Sequence, residues 1–247
     1  MYKLCIVVPC YNEALRLDGD RYIEALKKQS NFSVCFVNDG SNDNTSDVLL
    51  ALTKRLPEQI SMLHLETNLG KAAAVRLGIL ENLKDKEFHF IGFLDADLST
   101  PLEELKFMME ILLKDHDIVI GSRIKRLGAT VERELWRHIT GRFFATFVSN
   151  ILRLPVYDSQ CGAKLFKREF IASLFQEPFK TDWLFDVEIL FRARNMYGKE
   201  FVLKKIMEYP LHEWVNVGGS KLKLRHFMKV PFQLFKIHYY YNYKALK

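Results

Sequence analysis

Five short apolar segments in the first half of the chain are each followed by a polar cluster and then, in most cases, by a segment of helical periodicity. Short β-branched or aromatic runs that alternate with amphipathic segments are typical of βαβ units and a mostly parallel sheet. We therefore predict an α/β fold with a Rossmann-like sheet flanked by helices. The five predicted strands lie in Leu4–Val8, Val34–Val37, Ile60–Leu65, Phe88–Leu94 and Ile118–Ile120.

The second half of the chain carries fewer strand signals. The predicted elements are helices over Glu134–Leu154 and Phe185–Tyr197 and strands over Cys161–Phe166 and Phe201–Glu208. No internal repeat and no Gly/Ser linker divides the 247 residues, a length that one large core can serve. We expect a single domain with a first half at 1–122, a second half at 123–220 and a C-terminal tail at 221–247.

The C-terminal tail holds the excess positive charge of the protein. It contains seven Lys or Arg, seven aromatic residues and no acidic residue, whereas residues 1–220 hold 29 basic and 30 acidic side chains. The spacing predicts a helix over Lys223–Lys247 that Pro231 breaks or kinks. Such a helix suits the headgroup layer of an anionic membrane. A helix packed on the core, with a solvated basic face or a homodimer contact, is an equal alternative.

The apolar runs and the cysteines indicate where in the cell the protein is located. The first apolar run is too short for a signal peptide, and no window holds about 18 uncharged apolar residues, so any membrane contact should be peripheral. The four cysteines form no CxxC pair, which favours reduced thiols. We expect a cytoplasmic protein that contacts the inner face of the membrane and binds no nucleic acid.

Asp95 and Asp97 stand two residues apart at the end of the fourth apolar run. Strand alternation would point both carboxylates the same way, and two like charges at a sheet edge are costly unless a cation neutralises them. Oxygen ligands suit Mg²⁺ or Mn²⁺, which completes its shell with water and substrate phosphates. We predict a metal site at these two residues, with Ser99 as a possible further ligand. The alternative is a helix N-cap pair ahead of Pro101.

The polar clusters after the other strands predict one composite pocket, because ligands bind beyond the carboxyl ends of the strands in such sheets. Asp39 would accept a hydrogen bond from a nucleobase, with Pro9 and Tyr11 as a wall; an ordinary turn is the alternative. Glu13 could simply cap the next helix. Lys71 opens a helix after a glycine, which attracts phosphate. No Gly-x-Gly-x-x-Gly occurs, which counts against a dinucleotide dehydrogenase.

A basic stretch from Arg123 to Arg153 holds seven Arg or Lys and two Glu. Arg123 directly follows the fifth strand, so its planar guanidinium is placed to bind a second phosphate. A solvated face is the usual fate of such a charge run, and the residues alone leave the role of Arg137 open. Asp186 and Glu188 form either a helix-start ion-pair cluster or the source of a general base.

The clusters together resemble a family 2 glycosyltransferase with a GT-A fold, and within it the branch of the dolichyl-phosphate β-glucosyltransferases and polyprenyl-phosphate mannosyltransferases. The segments that carry the resemblance are Val-Val-Pro-Cys-Tyr-Asn-Glu, Val-Asn-Asp-Gly-Ser, Asn-Leu-Gly-Lys, Asp-Ala-Asp, Gly-Ser-Arg and Asp-Ser-Gln-Cys-Gly-Ala-Lys-Leu-Phe. They extend from about residue 3 to Lys221. Two features depart from the eukaryotic glucosyltransferases. We expect no counterpart of their N-terminal membrane anchor, and Leu98 stands where their motif has glycine, which is nearer the mannosyltransferase form.

The resemblance implies a role for each matching residue. Pro9, Tyr11, Glu13 and Asp39 would hold the nucleoside, and Asp95, Ala96 and Asp97 the metal and diphosphate. Arg123 and Arg137 would grip an acceptor phosphate, and Lys221 lies in a segment that closes over the site.

The implied activity is inverting transfer of a hexose, with UDP-glucose the favoured donor, to polyprenyl phosphate. An ionised phosphate needs no strong base, so Asp186 would matter most for a hydroxyl acceptor. The alternatives are a transferase that acts on a sugar hydroxyl of a surface polysaccharide and a catalytically silent nucleotide-sugar binder at membranes. The intact Asp39, Asp95 and Asp97 argue against the silent binder.

Overall fold

A computed structural model describes residues 2–132, 135–217 and 224–244 of the chain, with side chains for all of these except 135–140, 224–229 and 244. The first half contains β1 (Lys3–Cys10), α1 (Gly19–Lys27), β2 (Phe32–Asp39), α2 (Thr45–Arg55), β3 (Ile60–Leu65), α3 (Lys71–Asn82), β4 (Phe88–Phe93), α4 (Glu104–Lys114) and β5 (Ile118–Ser122). Each of the five predicted strands is present, and a helix follows each of the first four.

The second half alternates short strands with helices. Its elements are β6 (Thr130–Val131), α5 (Leu135–Leu152), β7 (Lys164–Lys167), α6 (Arg168–Phe175), α7 (Phe185–Tyr197), α8 (Lys199–Lys205), β8 (Ile206–Pro210), β9 (Glu213–Trp214), α9 (Leu224–Tyr239) and a π-helical turn at Tyr240–Lys244. In the part of the chain so described, no helix has the length and apolarity needed to cross a membrane.

The second half differs from the predicted elements in detail. The strand predicted over Phe201–Glu208 begins only at Ile206, because Phe201 belongs to α8 and packs its ring against Phe170 and Tyr197. Pro231 does not end α9, which continues to Tyr239. The missing N–H removes one hydrogen bond, and burial of apolar side chains on both sides of the proline offsets that loss.

The central sheet has the order β3-β2-β1-β4-β7-β5-β8, and β6 pairs with β9 in a separate two-stranded sheet. Within the central sheet only β7 is antiparallel, and it lies between β4 and β5. The carboxyl ends of β1, β2, β4 and β5 therefore share one edge, and β7 begins beside that edge. This topology brings the segments around residues 10, 39, 95, 123 and 162 to the same place.

Two apolar layers cover the faces of the central sheet. On one face of the sheet, side chains of β1, β2 and β4 pack against α3, α6, α7 and α9. On the other face, the alternate side chains of the same strands pack against α1, α2 and α4. Strands buried on both faces read as continuous apolar runs, which is why the strand signal in the first half was strong.

Helix α9 is packed on the core along one side and exposed along the other. Val230, Leu234, Ile237 and Tyr241 are buried, whereas Phe232, Phe235, Tyr239 and Tyr243 are between 55% and 73% exposed. Among its buried contacts, the Tyr241 hydroxyl donates to Glu188 Oε1 at 2.7 Å and accepts from Arg192 Nε at 2.9 Å. The core-packing interpretation of the tail is therefore right for one face, and the other face presents an aromatic stripe.

Tyr241→Phe should lower the free energy of unfolding by about 1.5–3 kcal/mol, the usual contribution of a hydrogen bond to a charged group. The substitution removes a donor from Glu188, whose side chain is fully buried. Urea denaturation measures the effect, with Tyr243→Phe as the matched control because that ring is 61% exposed. Equal losses in both variants would show that the buried network contributes little.

Candidate active site

The loops after β1 and β2 are tied to each other by side chain–backbone hydrogen bonds. The Asn12 amide donates to Ser41 Oγ at 3.0 Å, and the Asn42 amide donates to Asn12 Oδ1 at 2.9 Å. Asn12 has a φ of 51°, a left-handed conformation that asparagine tolerates better than most residues. These contacts fix the shape of the edge on which the predicted nucleoside residues lie.

Asp39 is buried at the end of β2, and both of its carboxylate oxygens accept hydrogen bonds from the next loop. Leu69 N–H donates to Oδ1 at 2.8 Å and Gly70 N–H to Oδ2 at 3.0 Å. Burial raises the pKa of Asp39, and these two N–H donors partly oppose the shift. Asp39 therefore orders the start of α3, and its nucleobase contact remains a prediction.

Asp95 lies directly beyond β4 between a cation and a glycine. Lys71, the first residue of α3, places its Nζ 2.5 Å from Asp95 Oδ1. On the other side, a Cβ at Gly162 would lie 1.9 Å from Asp95 Oδ2, so only glycine permits this approach. The helix start predicted at Lys71 is confirmed, and its side chain reaches the predicted metal carboxylate.

Burial acts to raise the pKa of the Asp95 carboxyl, but the ammonium of Lys71, together with Arg123 and Lys164, holds that pKa below its usual range. The carboxylate is therefore ionised at neutral pH. Its electrostatic neighbours come from α3, from the residue after β5 and from β7, so segments that are distant in the sequence act on Asp95 together.

Asp97 is held by contacts on both of its oxygens. Ser99 N–H donates to Oδ1 at 3.0 Å, and Arg16 Nη2 lies 3.4 Å from Oδ2. Arg16 also pairs with Glu13, its Nη1 3.3 Å from Oε2. The next helix, α4, begins only at Glu104, so the alternative in which Asp95 and Asp97 are a helix N-cap pair is wrong. Glu13 does not cap α1 either, since that cap is Asp18.

Leu98 follows the aspartates with a φ of 51° and is buried. This left-handed conformation favours glycine, the residue that the resemblance places here in eukaryotic glucosyltransferases. The backbone turn that a glycine would make is therefore kept, and burial of the leucine side chain offsets the local strain.

Arg123 is bound to a carboxylate in this structure. Its Nε and Nη2 donate to Asp158 Oδ2 and Oδ1 at 2.7 and 2.8 Å, and its backbone N–H donates to Oδ2 at 3.1 Å. Glu208 in turn accepts from the amides of Tyr157 and Asp158. The solvated-face alternative is wrong for Arg123, whose side chain is 17% exposed. If Arg123 binds a phosphate as predicted, its guanidinium would contact both that phosphate and Asp158.

Asp186, the predicted candidate base, is buried in an ion pair. Its Oδ1 accepts from Lys164 Nζ at 2.6 Å, and that fully buried ammonium also donates to the carbonyls of Ser159 and Cys161. Burial raises the pKa of Asp186, and the ammonium groups of Lys164 and Lys71 only partly oppose that shift. Glu188 accepts from the Lys180 amide, Arg192 and Tyr241, so it fits the structural alternative and not the general base.

Other predicted residues have simpler outcomes. Pro9 lies in β1, Tyr11 directly follows that strand, and Ala96 is buried between the two aspartates. Ser99 is buried, and its carbonyl accepts from the Val215 amide. The side chain of Arg137 and all of Lys221 lie outside the described residues. The four cysteines are buried, and none is joined to another by a disulfide bond.

Sequence reasoning missed Arg16, Gly162 and Lys164. A lysine within the apolar strand segment Gly-Ala-Lys-Leu-Phe was the available signal for Lys164, because lysine is rarely buried without a partner. Arg16 gave no signal, since one arginine in a loop is ordinary. Within residues 2–132, 135–217 and 224–244, no group of three or more His, Cys, Asp or Glu is arranged to hold a metal.

The mostly parallel sheet, with polar loops gathered beyond the carboxyl ends of its strands, is typical of a nucleotide-binding α/β protein. Residues 5–175 match glycosyl transferase family 2, and the chain belongs to that family. The resemblance seen in the motifs is therefore confirmed.

Three relatives of this chain are dolichyl-phosphate beta-glucosyltransferases. A dolichyl-phosphate beta-glucosyltransferase of Trichomonas vaginalis, ALG5A, is 32% identical over 99% of this chain and 75% of its own length. The dolichyl-phosphate beta-glucosyltransferases of Drosophila melanogaster and Homo sapiens are 33% and 30% identical, each over 89% of this chain and 69% of their own length.

Solved structures agree on the fold. A crystal structure of glucosyl-3-phosphoglycerate synthase from Mycobacterium tuberculosis superposes with a TM-score of 0.70 at 16% identity, covering 97% of this chain and 80% of that one. Its complex with uridine diphosphate gives a TM-score of 0.68 at 15% identity with the same coverage. The predicted GT-A fold is thereby confirmed.

Proposed function

We propose that the protein is an inverting glycosyltransferase that moves glucose from UDP-glucose to a polyprenyl phosphate. The observation that carries the proposal is the position of Asp95, Asp97 and Arg123 at one edge of the sheet, beyond the carboxyl ends of β4 and β5. A donor diphosphate and an acceptor phosphate need this arrangement of carboxylates for a metal and an arginine for an anion. The dolichyl-phosphate beta-glucosyltransferases among its relatives support the same choice of acceptor and sugar.

The donor set of Asp95 and Asp97 fits Mg²⁺ or Mn²⁺, because these ions are often held by one or two carboxylates and completed by substrate phosphates. Structures of the mycobacterial synthase contain Mn²⁺ or Mg²⁺ with uridine diphosphate, which supports the same use here. Such an ion supplies Lewis-acid stabilisation of the leaving diphosphate.

The chain's own residues position the two reactants. Asp39 would face the uracil while it orders the start of α3, and Lys71 would contact the diphosphate from that helix. Arg123 would hold the acceptor phosphate in line with the anomeric carbon, so that two mutually repelling anions approach each other. The acceptor is already ionised at neutral pH, so this reaction requires no proton transfer to Asp186, which stays paired with Lys164.

The exposed side of α9 would rest on an anionic membrane surface, which is where a lipid acceptor lies. Phe232, Phe235, Tyr239 and Tyr243 form the stripe, and the acid-free tail around them matches the negative charge of such a surface. The same proposal places the protein peripherally at the inner, cytoplasmic face of the membrane.

A donor and acceptor panel tests the proposed reaction. The full chain is incubated with UDP and GDP sugars, Mn²⁺, and either a short polyprenyl phosphate or a neutral oligosaccharide. Glucosyl transfer from UDP-glucose to the lipid phosphate is the expected result. Transfer to the oligosaccharide alone would establish the polysaccharide alternative, and binding of UDP-glucose without transfer to either would establish the silent binder.

Substituting both Phe232 and Phe235 by Ser should abolish binding to vesicles that contain an anionic phospholipid, because each loses an exposed ring at the interface. Phe107→Ser is the matched control, since Phe107 is an exposed phenylalanine on α4. Vesicle flotation at low and high salt measures the effect, and wild-type binding should fall as salt rises. If sedimentation instead shows that the wild type is a dimer and the double variant a monomer, the exposed side of α9 is a homodimer contact.

A further inference from the structure

The two predicted metal carboxylates already carry cationic partners in this structure. Lys71 Nζ lies 2.5 Å from Asp95 Oδ1, and Arg16 Nη2 lies 3.4 Å from Asp97 Oδ2. Both carboxylates are partly open, with side chains 43% and 23% exposed, so a soluble ion can reach them. A divalent cation that binds both aspartates would meet an ammonium and a guanidinium at the same oxygens.

Two carboxylates alone are few ligands for a divalent cation that must also overcome this repulsion. No third His, Cys, Asp or Glu completes a site with Asp95 and Asp97 within the three described segments. A diphosphate changes the balance in two ways: it supplies oxygen ligands to the ion, and it offers Lys71 and Arg16 new anionic partners. A change of partner would also allow Arg16 Nε, which is buried without a hydrogen-bond partner, to donate a hydrogen bond.

We propose that Lys71 and Arg16 are exchange cations: they neutralise Asp95 and Asp97 in the empty site and transfer to the donor diphosphate when a divalent cation replaces them. The inference rests on the proposed function, because it takes a nucleoside diphosphate as the donor group. Its consequence is positive coupling, so that the metal binds weakly alone and more tightly with nucleotide, and nucleotide affinity rises by the same factor when the metal is present.

The position of Lys71 suits this exchange. It is the first residue of α3, whose N-cap Gly70 provides no side-chain hydrogen bond to the helix. The partial positive charge of the α3 N-terminus and the Lys71 ammonium therefore act on the same anion. Asp39 fixes the Leu69 and Gly70 amides, so the backbone that carries Lys71 is held while its side chain changes partner.

Titration with Mn²⁺, followed by the electron paramagnetic resonance signal of the free ion, tests the coupling without an activity assay. In the wild-type protein, UDP should tighten Mn²⁺ binding by about 5–150-fold, the usual range for coupled sites. Lys71→Met should bind Mn²⁺ alone more tightly than the wild type, because Asp95 loses its competing cation, and the effect of UDP should shrink. Arg16→Met should act in the same direction through Asp97.

Lys84→Met is the control, because Lys84 forms an exposed pair with Glu81 just after α3. It should match the wild type in both affinity and coupling. Mn²⁺ affinities that are equal in wild type, Lys71→Met and Arg16→Met, with UDP coupling intact in all three, would overturn the exchange while leaving the proposed function standing. A wild-type protein that binds no UDP at any Mn²⁺ concentration would overturn the donor class and the exchange together.

Discussion

Asp97→Asn should lower the turnover of glucosyl transfer by about 100-fold or more, the scale on which enzymes lose one preorganised electrostatic contact in the transition state. Asparagine keeps an oxygen that can accept from the Ser99 amide, so the local turn should survive. It removes the negative charge that a divalent cation requires, and Arg16 retains Glu13 as its partner. The loss should therefore appear in kcat, with the thermal unfolding temperature unchanged.

The matched control is Asp20→Asn, an exposed acid that pairs with Arg55 on the surface. It should leave turnover unaltered. Chelation gives an independent measurement: EDTA should abolish wild-type activity, and Mn²⁺ or Mg²⁺ should restore it. Full activity of the wild type in EDTA, or of Asp97→Asn in the presence of metal, would remove the metal from the proposed mechanism.

The sequence predicted the parts of the fold that depend on local pattern. Buried strands such as β1 and β2 are continuous apolar runs, and the residues after them are the polar ones that a shared sheet edge requires. The strand predicted from Cys161 was less well placed and begins at Lys164. Its antiparallel position between β4 and β5 depends on long-range pairing, which no local pattern encodes.

Individual roles in the site were harder to predict, because each depends on a partner that is distant in the sequence. Asp39 and Lys71 were identified from their positions after β2 and at the start of α3. The contact of Asp39 with the Leu69 amide joins two different loops. Lys164 and Asp186 are 22 residues apart, and only the fold shows that one neutralises the other. The sequence could indicate a candidate base at Asp186 but not its burial.

Glycine positions illustrate the same limit. Gly162 is required because Asp95 from another strand end approaches it, a contact between residues that are 67 positions apart in the numbering. Leu98 shows the converse, since it adopts a left-handed conformation without being glycine. Local sequence preference would place an extended or helical residue there, and packing of a buried leucine overrides it.

The acceptor proposal depends on Arg123, and replacing it with alanine alone would give an ambiguous result. The Asp158 side chain is 8% exposed and would lose its ion pair with Arg123. Removing one member of a buried pair typically destabilises a protein by about 3–5 kcal/mol. Loss of activity in Arg123→Ala could therefore reflect a displaced loop at Tyr157 and Asp158, which Glu208 also holds.

Arg123→Lys separates the two roles, because lysine keeps the positive charge beside Asp158 but loses the planar guanidinium. If Arg123 binds the acceptor phosphate, this variant should raise the KM for polyprenyl phosphate by about 10–150-fold, which corresponds to about 1.5–3 kcal/mol for a charge-assisted contact. The KM for UDP-glucose should change little, since the donor is held by other loops. Asp158→Asn provides the comparison: it weakens the ion pair and leaves the guanidinium in place, so acceptor binding should persist. An unchanged acceptor KM in Arg123→Lys, together with a lower unfolding temperature in both variants, would limit Arg123 to holding the loop.

Efficient transfer to a neutral oligosaccharide would then favour the hydroxyl acceptor, and Asp186→Asn should be the damaging substitution, because a hydroxyl nucleophile needs the base that an ionised phosphate does not.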